Sequence, residues 1–358
     1  MRYLQARWLL GVAEAGGLTC NTVFRSVHVL LLVLLVSLFV LAADVRTWVD
    51  LAAFSVAFPV FIGIHTFVAM LQEAFPVNHY AEVGICVLAV LVLAQRPPRP
   101  YVAPVICALL AFALSVIESG AIVWVTVICC AVVGMRGITR ATVMSTTVLI
   151  AAYLVMRHAL DIATPGIGGH GSGFGATFYS PEELVQRFGD HPAGFMAYNV
   201  AGGLASLLFS EPRQGVTASR WRGATMSSIR SSPSTWFRPS RRPRCWSGYG
   251  ATHLRGGRAA WSDRNRLFVA VCGVMVANAA LTVAHIKDEI ISPGGLCYAI
   301  AVFIAVAALV ESLPRRGPAV CVDNGAVAGD DRGAVDVPCR RRPLRAAIRR
   351  LQGPQRLG

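Results

Sequence analysis

Glu118 is the residue whose surroundings ask most insistently for a chemical explanation. It stands in LSVIESGAIVW, between two apolar runs, where a carboxylate is expensive unless it faces a polar cavity or the headgroup layer. Two readings follow: an ionisable group serving a polar cavity, or the solvated turn, IESG, of a tight helical hairpin. His28 and His65 also fall inside apolar runs, where an imidazole relays a proton, takes a ligand or bonds to a neighbouring helix. Gly166, Gly168 and Gly171 match G-x-G-x-x-G, but the run follows an apolar segment and Pro165, and no helix opens there to hold a phosphate, so a flexible loop is expected. The only lysine is Lys287, and the absence of a Walker lysine argues against an ATP-driven pump. The 10 cysteines form no C-x-x-C pair and no metal-finger spacing. Cys86, Cys107, Cys129, Cys130, Cys272 and Cys297 lie in apolar segments and read as small hydrophobes. No zinc site and no disulfide framework are expected.

The elements that must carry these groups are membrane helices. Of 358 residues, 55% are apolar and only 15% charged, against about a quarter charged in globular domains. From Tyr101 to Met156 three apolar runs follow one another, each roughly one bilayer crossing long. Along the chain the expected spans are 26–43, 51–71, 81–95, 101–117, 121–135, 139–156, 195–209, 267–286 and 296–310, with Pro59 a possible break in the second. The fold class is therefore an all-α integral membrane protein of about nine transmembrane helices. Trp8 to Cys20 is mildly apolar and short, an interfacial helix or the remnant of a span. The N-terminus lacks an apolar core before a cleavage site, so no cleaved signal peptide is expected. In the long loop 157–194, Ser180 before Pro181, with Glu183 three residues on, predicts an N-cap and a short amphipathic helix to about Phe188.

The net charge of +14 concentrates in turns. Arginine excess places the turns 96–100 and 136–140, the segment 211–266 and the tail on the cytoplasmic side. The loops 72–82, around Glu118, 157–194 and 287–295 then lie outside. Residues 1–25 form a separate N-terminal segment, 26–212 a transmembrane bundle, 213–266 a basic segment without helical period, 267–311 two further spans, and 312–358 a basic disordered tail. From Arg213 to Trp261 there is no acidic residue, and leucine is absent between Phe209 and Leu254. That change over about 216–246 reads as translation in a shifted frame, and the tail invites the same reading. An anionic-lipid or nucleic-acid patch is the other reading of the basic segment, but its serines and prolines supply neither period nor anchor, and no nucleic-acid partner is expected.

Several short elements resemble bacterial proteins of the glycosyltransferase C superfamily, which use polyprenyl-phosphate sugars. FPVNHYAEVG is similar to an H-P-x-x-x-E-x-V element of some members, with Phe75 where they have histidine. LSVIESGAIVW resembles a hairpin containing K-E-x-G, with Ile117 in place of lysine, and AYNVAGGLASLLFSEPRQGV resembles a stretch of uncharacterised relatives. The resemblance covers about 51–212 and 267–310. It implies an inner-membrane, multi-pass enzyme transferring sugar from a lipid-linked donor on the extracytoplasmic side, with a divalent metal as a conceivable cofactor. Glu73, Glu82 and Glu118 would then take acid–base or metal roles, and Arg157, His158 and Lys287 would neutralise the departing lipid phosphate. The acidic catalytic element that such enzymes carry in their first external loop is not displayed, which implies a truncated N-terminus or a likeness of structure only. A transporter, a scaffold or an inactive remnant is the competing class.

Overall fold

The computed structural model describes residues 2–63, 78–159, 182, 185–186, 191–209, 261–281 and 288–312, and all regular structure among them is helical. Ten α-helices follow in order: α1 (Arg2–Gly16), α2 (Cys20–Ala43), α3 (Trp48–Gly63), α4 (His79–Gln95), α5 (Val102–Val116), α6 (Ile122–Val133), α7 (Arg140–Ala159), α8 (Pro192–Phe209), α9 (Asp263–Leu281) and α10 (Asp288–Ser312). A 3₁₀ turn, Glu118–Ala121, joins α5 to α6. Three stretches, Cys20–Ala43, Asp263–Leu281 and Ile291–Ser312, are long and apolar enough to cross a membrane. Several of the others are shorter; α5, with 15 residues, spans about 22 Å against a hydrocarbon layer of about 30 Å.

Helices α4 and α10 form the centre. Along α4, Val83, Val87, Leu88, Val90 and Leu91 are buried, as are Leu296, Tyr298, Ile300, Phe303 and Ile304 of α10. Such all-round burial is what a helix without a polar face requires. Helix α4 packs on α2, α5, α6 and α10, while α10 also meets α3, α8 and α9. Gly84 is the close-approach point between α4 and α10, since a Cβ there would meet Leu296 Cδ1 at 2.5 Å. In contrast, α2 and α7 present Val29, Leu30 and Val33, and Met144, Val148 and Val155, on open faces, as lipid-facing helices do.

The polar turns fall at two ends. Gln95 Nε2 donates to Ala42 O at 2.9 Å, Gly137 N to Ala94 O at 2.9 Å and Arg266 Nη1 to Gly134 O at 2.9 Å, so the turns near residues 44–50, 95–100, 134–140 and 261–266 share one end. Because consecutive helices run antiparallel, Asn78–Glu82, Glu118–Ala121 and the start of α10 lie at the other.

Three expectations need adjustment. Residues 2–16 are helical and fold back on α2 through Gly17 (φ 60°), with Leu9 and Ala13 buried against Val23 and Phe24. Helix α2 begins at Cys20 rather than Ser26, because Thr19 caps it: Thr22 N donates to Thr19 Oγ1 at 3.3 Å. Helix α10 begins at Asp288, not Leu296, and passes through Pro293; a proline near a helix start forfeits a single backbone bond. His65, the glycine-rich run and the segment 213–260 lie outside the described residues, as does the tail. Of the expected short helix after Ser180, only Glu182, Val185 and Gln186 are described, and all three are helical.

Candidate functional site

At the start of α4, Asn78 is the N-cap, and its Oδ1 accepts from Ala81 N at 3.0 Å. The first turn brings His79 and Glu82 onto one face at i, i+3 spacing. His79 Nδ1 lies 3.0 Å from Glu82 Oε2, with the two side chains only 10% and 8% exposed. Gln5, from α1, donates through Nε2 to Glu82 Oε1 at 2.9 Å. Both carboxylate oxygens are thus held, and the helix N-terminus favours the negative charge. When Nδ1–H donates to the carboxylate, the neutral imidazole keeps its basic lone pair on Nε2. A histidine oriented in this way can accept a proton at Nε2 from a neighbouring hydroxyl.

Of the residues singled out in the sequence, Glu82 is therefore built into a buried polar cluster. Its partners His79 and Gln5 were not singled out. The HYAE spacing was a signal for His79; nothing local signals Gln5, which arrives 77 positions away in sequence. Glu118 opens the 3₁₀ turn, half-buried, at the same end of the bundle as Glu82. The turn is closed tightly over Gly120, where a Cβ would come within 2.4 Å of the Ala113 carbonyl. Arg157 and His158 belong to the last turn of α7, at that end too. Glu73 and Lys287 lie outside the described residues. Among the described residues no group of three or more His, Cys, Asp or Glu is arranged to hold a metal ion.

Further buried polar side chains lie on α8, α9 and α10, which pack on one another. Asn199, Ser206, Asn278 and Ser292 are buried. Asn278 Nδ2 donates to Ile291 O at 3.2 Å, beside Pro293, and Tyr298 Oη to Leu208 O at 3.2 Å.

The opposite end is an ionic clamp. Thr47 caps α3 reciprocally with Asp50: Asp50 N donates to Thr47 Oγ1 at 3.1 Å and Thr47 N to Asp50 Oδ2 at 2.9 Å, a capping box with aspartate as the acid. Asp50 Oδ2 also accepts from Arg46 N at 3.1 Å. Arg264, at the start of α9, pairs with Asp50 and reaches Glu311 of α10 at 2.9 Å, while lying over Phe303. Burial pushes the Asp50 carboxyl up, but the hydrogen bonds from Arg46, Thr47 and Arg264 outweigh it and hold the group below its ordinary value. One arginine thereby ties α3, α9 and α10 together.

No protein family, curated protein or solved structure matches the chain. The class defined by fold and site is accordingly a helical protein with, among the described residues, three helices long and apolar enough to span a membrane.

Proposed function

We propose that the chain is a multi-pass protein of the cell inner membrane, crossing about nine times, that transfers sugar from a polyprenyl-phosphate donor to an acceptor on the external side. The observation that carries the reading is the His79–Glu82 pair, buried at the end of the bundle away from the arginine clamp. His79 Nε2 takes the proton of an acceptor hydroxyl as its oxygen attacks the anomeric carbon. The bond from that carbon to the phosphate oxygen breaks, and the lipid phosphate leaves as an anion. Glu82 stabilises the imidazolium, Arg157, His158 and Lys287 supply cations for the leaving phosphate, and Glu73 and Glu118 remain candidates for metal or acid–base roles.

The test is release of labelled sugar from polyprenyl-phosphate donors by the protein in proteoliposomes, with water as the default acceptor. Wild type is expected to turn over donor, and His79→Ala and Glu82→Gln to lose about a hundredfold or more. A wild-type protein without turnover, or a His79→Ala variant with full activity, overturns the reading. The burial of Asn199, Ser206, Asn278 and Ser292 on α8, α9 and α10 favours a second one, transport, because polar groups in spanning helices mark solute paths. Solute flux into proteoliposomes that survives His79→Ala and fails in Asn278→Leu supports it. Absence of both activities assigns the chain to a scaffold or an inactive remnant.

A further inference from the structure

We infer that the two arginine-bearing turns at the clamp end form a binding site for the phosphate headgroup of an anionic phospholipid. The inference rests on the membrane-spanning reading and is separate from the transferase.

The turn after α4 reads RPPRP, in which three prolines restrict the backbone and all five residues are exposed. The turn after α6 leaves its helix through Gly134 (φ 75°) and docks on the first: Gly137 N donates to Ala94 O at 2.9 Å. Only glycine fits there, since a Cβ would meet Leu93 O at 2.1 Å and Arg96 O at 2.9 Å. This contact joins the turn that carries Arg96 and Arg99 to the one that carries Arg136 and Arg140.

The carboxylates at this end already have partners. Asp44 pairs with Arg46 at 2.8 Å, Asp263 with Arg136 at 3.2 Å, and Asp50 and Glu311 share Arg264. Arg96, Arg99 and Arg140 are exposed and have no acidic partner among the described residues. Three guanidinium groups on two pinned turns therefore lack counter-charge among the described residues, and a guanidinium fork matches a phosphate bidentately.

Two features favour a lipid as the source of that phosphate. The turns cap apolar helices, which puts them at headgroup depth. Trp48 and Tyr101 at this end are 85% and 49% exposed, and Arg99 lies 6.0 Å over the Tyr101 ring; exposed aromatics of this kind anchor at membrane interfaces.

The experiment reconstitutes the full chain in nanodiscs of phosphatidylcholine mixed with phosphatidylglycerol and measures by native mass spectrometry which lipid stays bound. Wild type is expected to retain phosphatidylglycerol selectively. Each of Arg96→Gln, Arg99→Gln and Arg140→Gln should weaken retention about fivefold, and the triple variant on the order of a hundredfold. Arg46→Gln, whose partner is Asp44, should change it by less than about twofold. Equal retention of both lipids by an inserted protein, or a triple variant like wild type, overturns the lipid site and leaves the membrane reading standing. Inorganic phosphate that displaces the lipid at equal concentration reassigns the site to a soluble anion, which also overturns it. A chain that does not enter nanodiscs overturns both.

Discussion

Replacing Asp50 by alanine should loosen the clamp end of the bundle by an amount that can be worked out contact by contact. The substitution removes the acid of the Thr47 capping box, worth about 1 kcal/mol. It also removes the partner of Arg264. Breaking a fully buried pair costs about 3–5 kcal/mol, but the Arg264 side chain is 29% exposed and solvent recovers part of that, leaving about 2 kcal/mol. The sum is about 3 kcal/mol, or roughly 6 °C in Tm at about 2 °C per kcal/mol for a chain of this size. Asp50→Asn keeps an acceptor for the Thr47 and Arg46 amides and should lose only about 1–2 kcal/mol. Arg264→Met should cost about 2 kcal/mol, because Glu311 is 54% exposed and its pair adds little. Since the two residues share one interaction, the double variant Asp50→Ala with Arg264→Met should fall short of the summed losses by about 1–2 kcal/mol. The assay is SDS-driven unfolding in mixed micelles, followed by circular dichroism. Additive losses, or an Asp50→Ala variant as stable as wild type, would refute the claim that Asp50 and Arg264 act together.

The same carboxyl makes stability depend on acid. Its folded value lies below the ordinary 3.8, so its contribution is fully present above that pH and is lost as pH falls toward the folded value; Asp50→Asn should flatten the micelle stability profile below about pH 4. At Gly137, alanine has nowhere to go, since its Cβ would lie 2.1 Å from Leu93 O; a loss of about 2–3 kcal/mol is expected, and an unchanged midpoint would contradict the docking of the two turns. At Trp124, whose Nε1 donates to Thr147 Oγ1 at 3.1 Å between α6 and α7, Thr147→Val should cost only about 0.6 kcal/mol in the same unfolding assay. Gln5→Leu should lower donor turnover, because it removes the hydrogen bond to Glu82 Oε1 that helps fix the carboxylate orienting His79; unchanged turnover would separate α1 from the site.

Periodicity and hydropathy made the helices legible, because an apolar run between arginine or proline punctuation leaves few alternatives. Helix α4 ends at Gln95 and α5 starts at Val102 because RPPRP cannot continue a helix. What escaped the sequence were interactions between distant segments. The N-terminal segment was mildly apolar but too short to place, and the hairpin of α1 onto α2 depends on Leu9 and Ala13 meeting Val23 and Phe24. The start of α10 was hidden by Ser292, Pro293 and Gly294, a loop signature outweighed by burial of Ile291 and Leu296. At the site, Glu82 was visible as a carboxylate beside an apolar run. Its role was not, since that depends on Gln5 and on the rotation that brings His79 under it. Asp50 similarly stands between two expected spans with nothing local to mark it, yet it is the pivot of a clamp whose arginine lies 214 positions away.

Accessibility of single cysteines on intact cells tests the central claim most directly. Cys20 is exposed at the start of α2, at the end that carries His79 and Glu82, while Pro98 is exposed in the arginine-bearing turn at the other. In variants retaining only Cys20, or only a cysteine introduced by Pro98→Cys, a membrane-impermeant maleimide should label the first in intact cells and the second only after lysis. Labelling of both before lysis, or recovery of the chain in the aqueous fraction without detergent, would contradict a bundle that crosses the bilayer with its arginines inside.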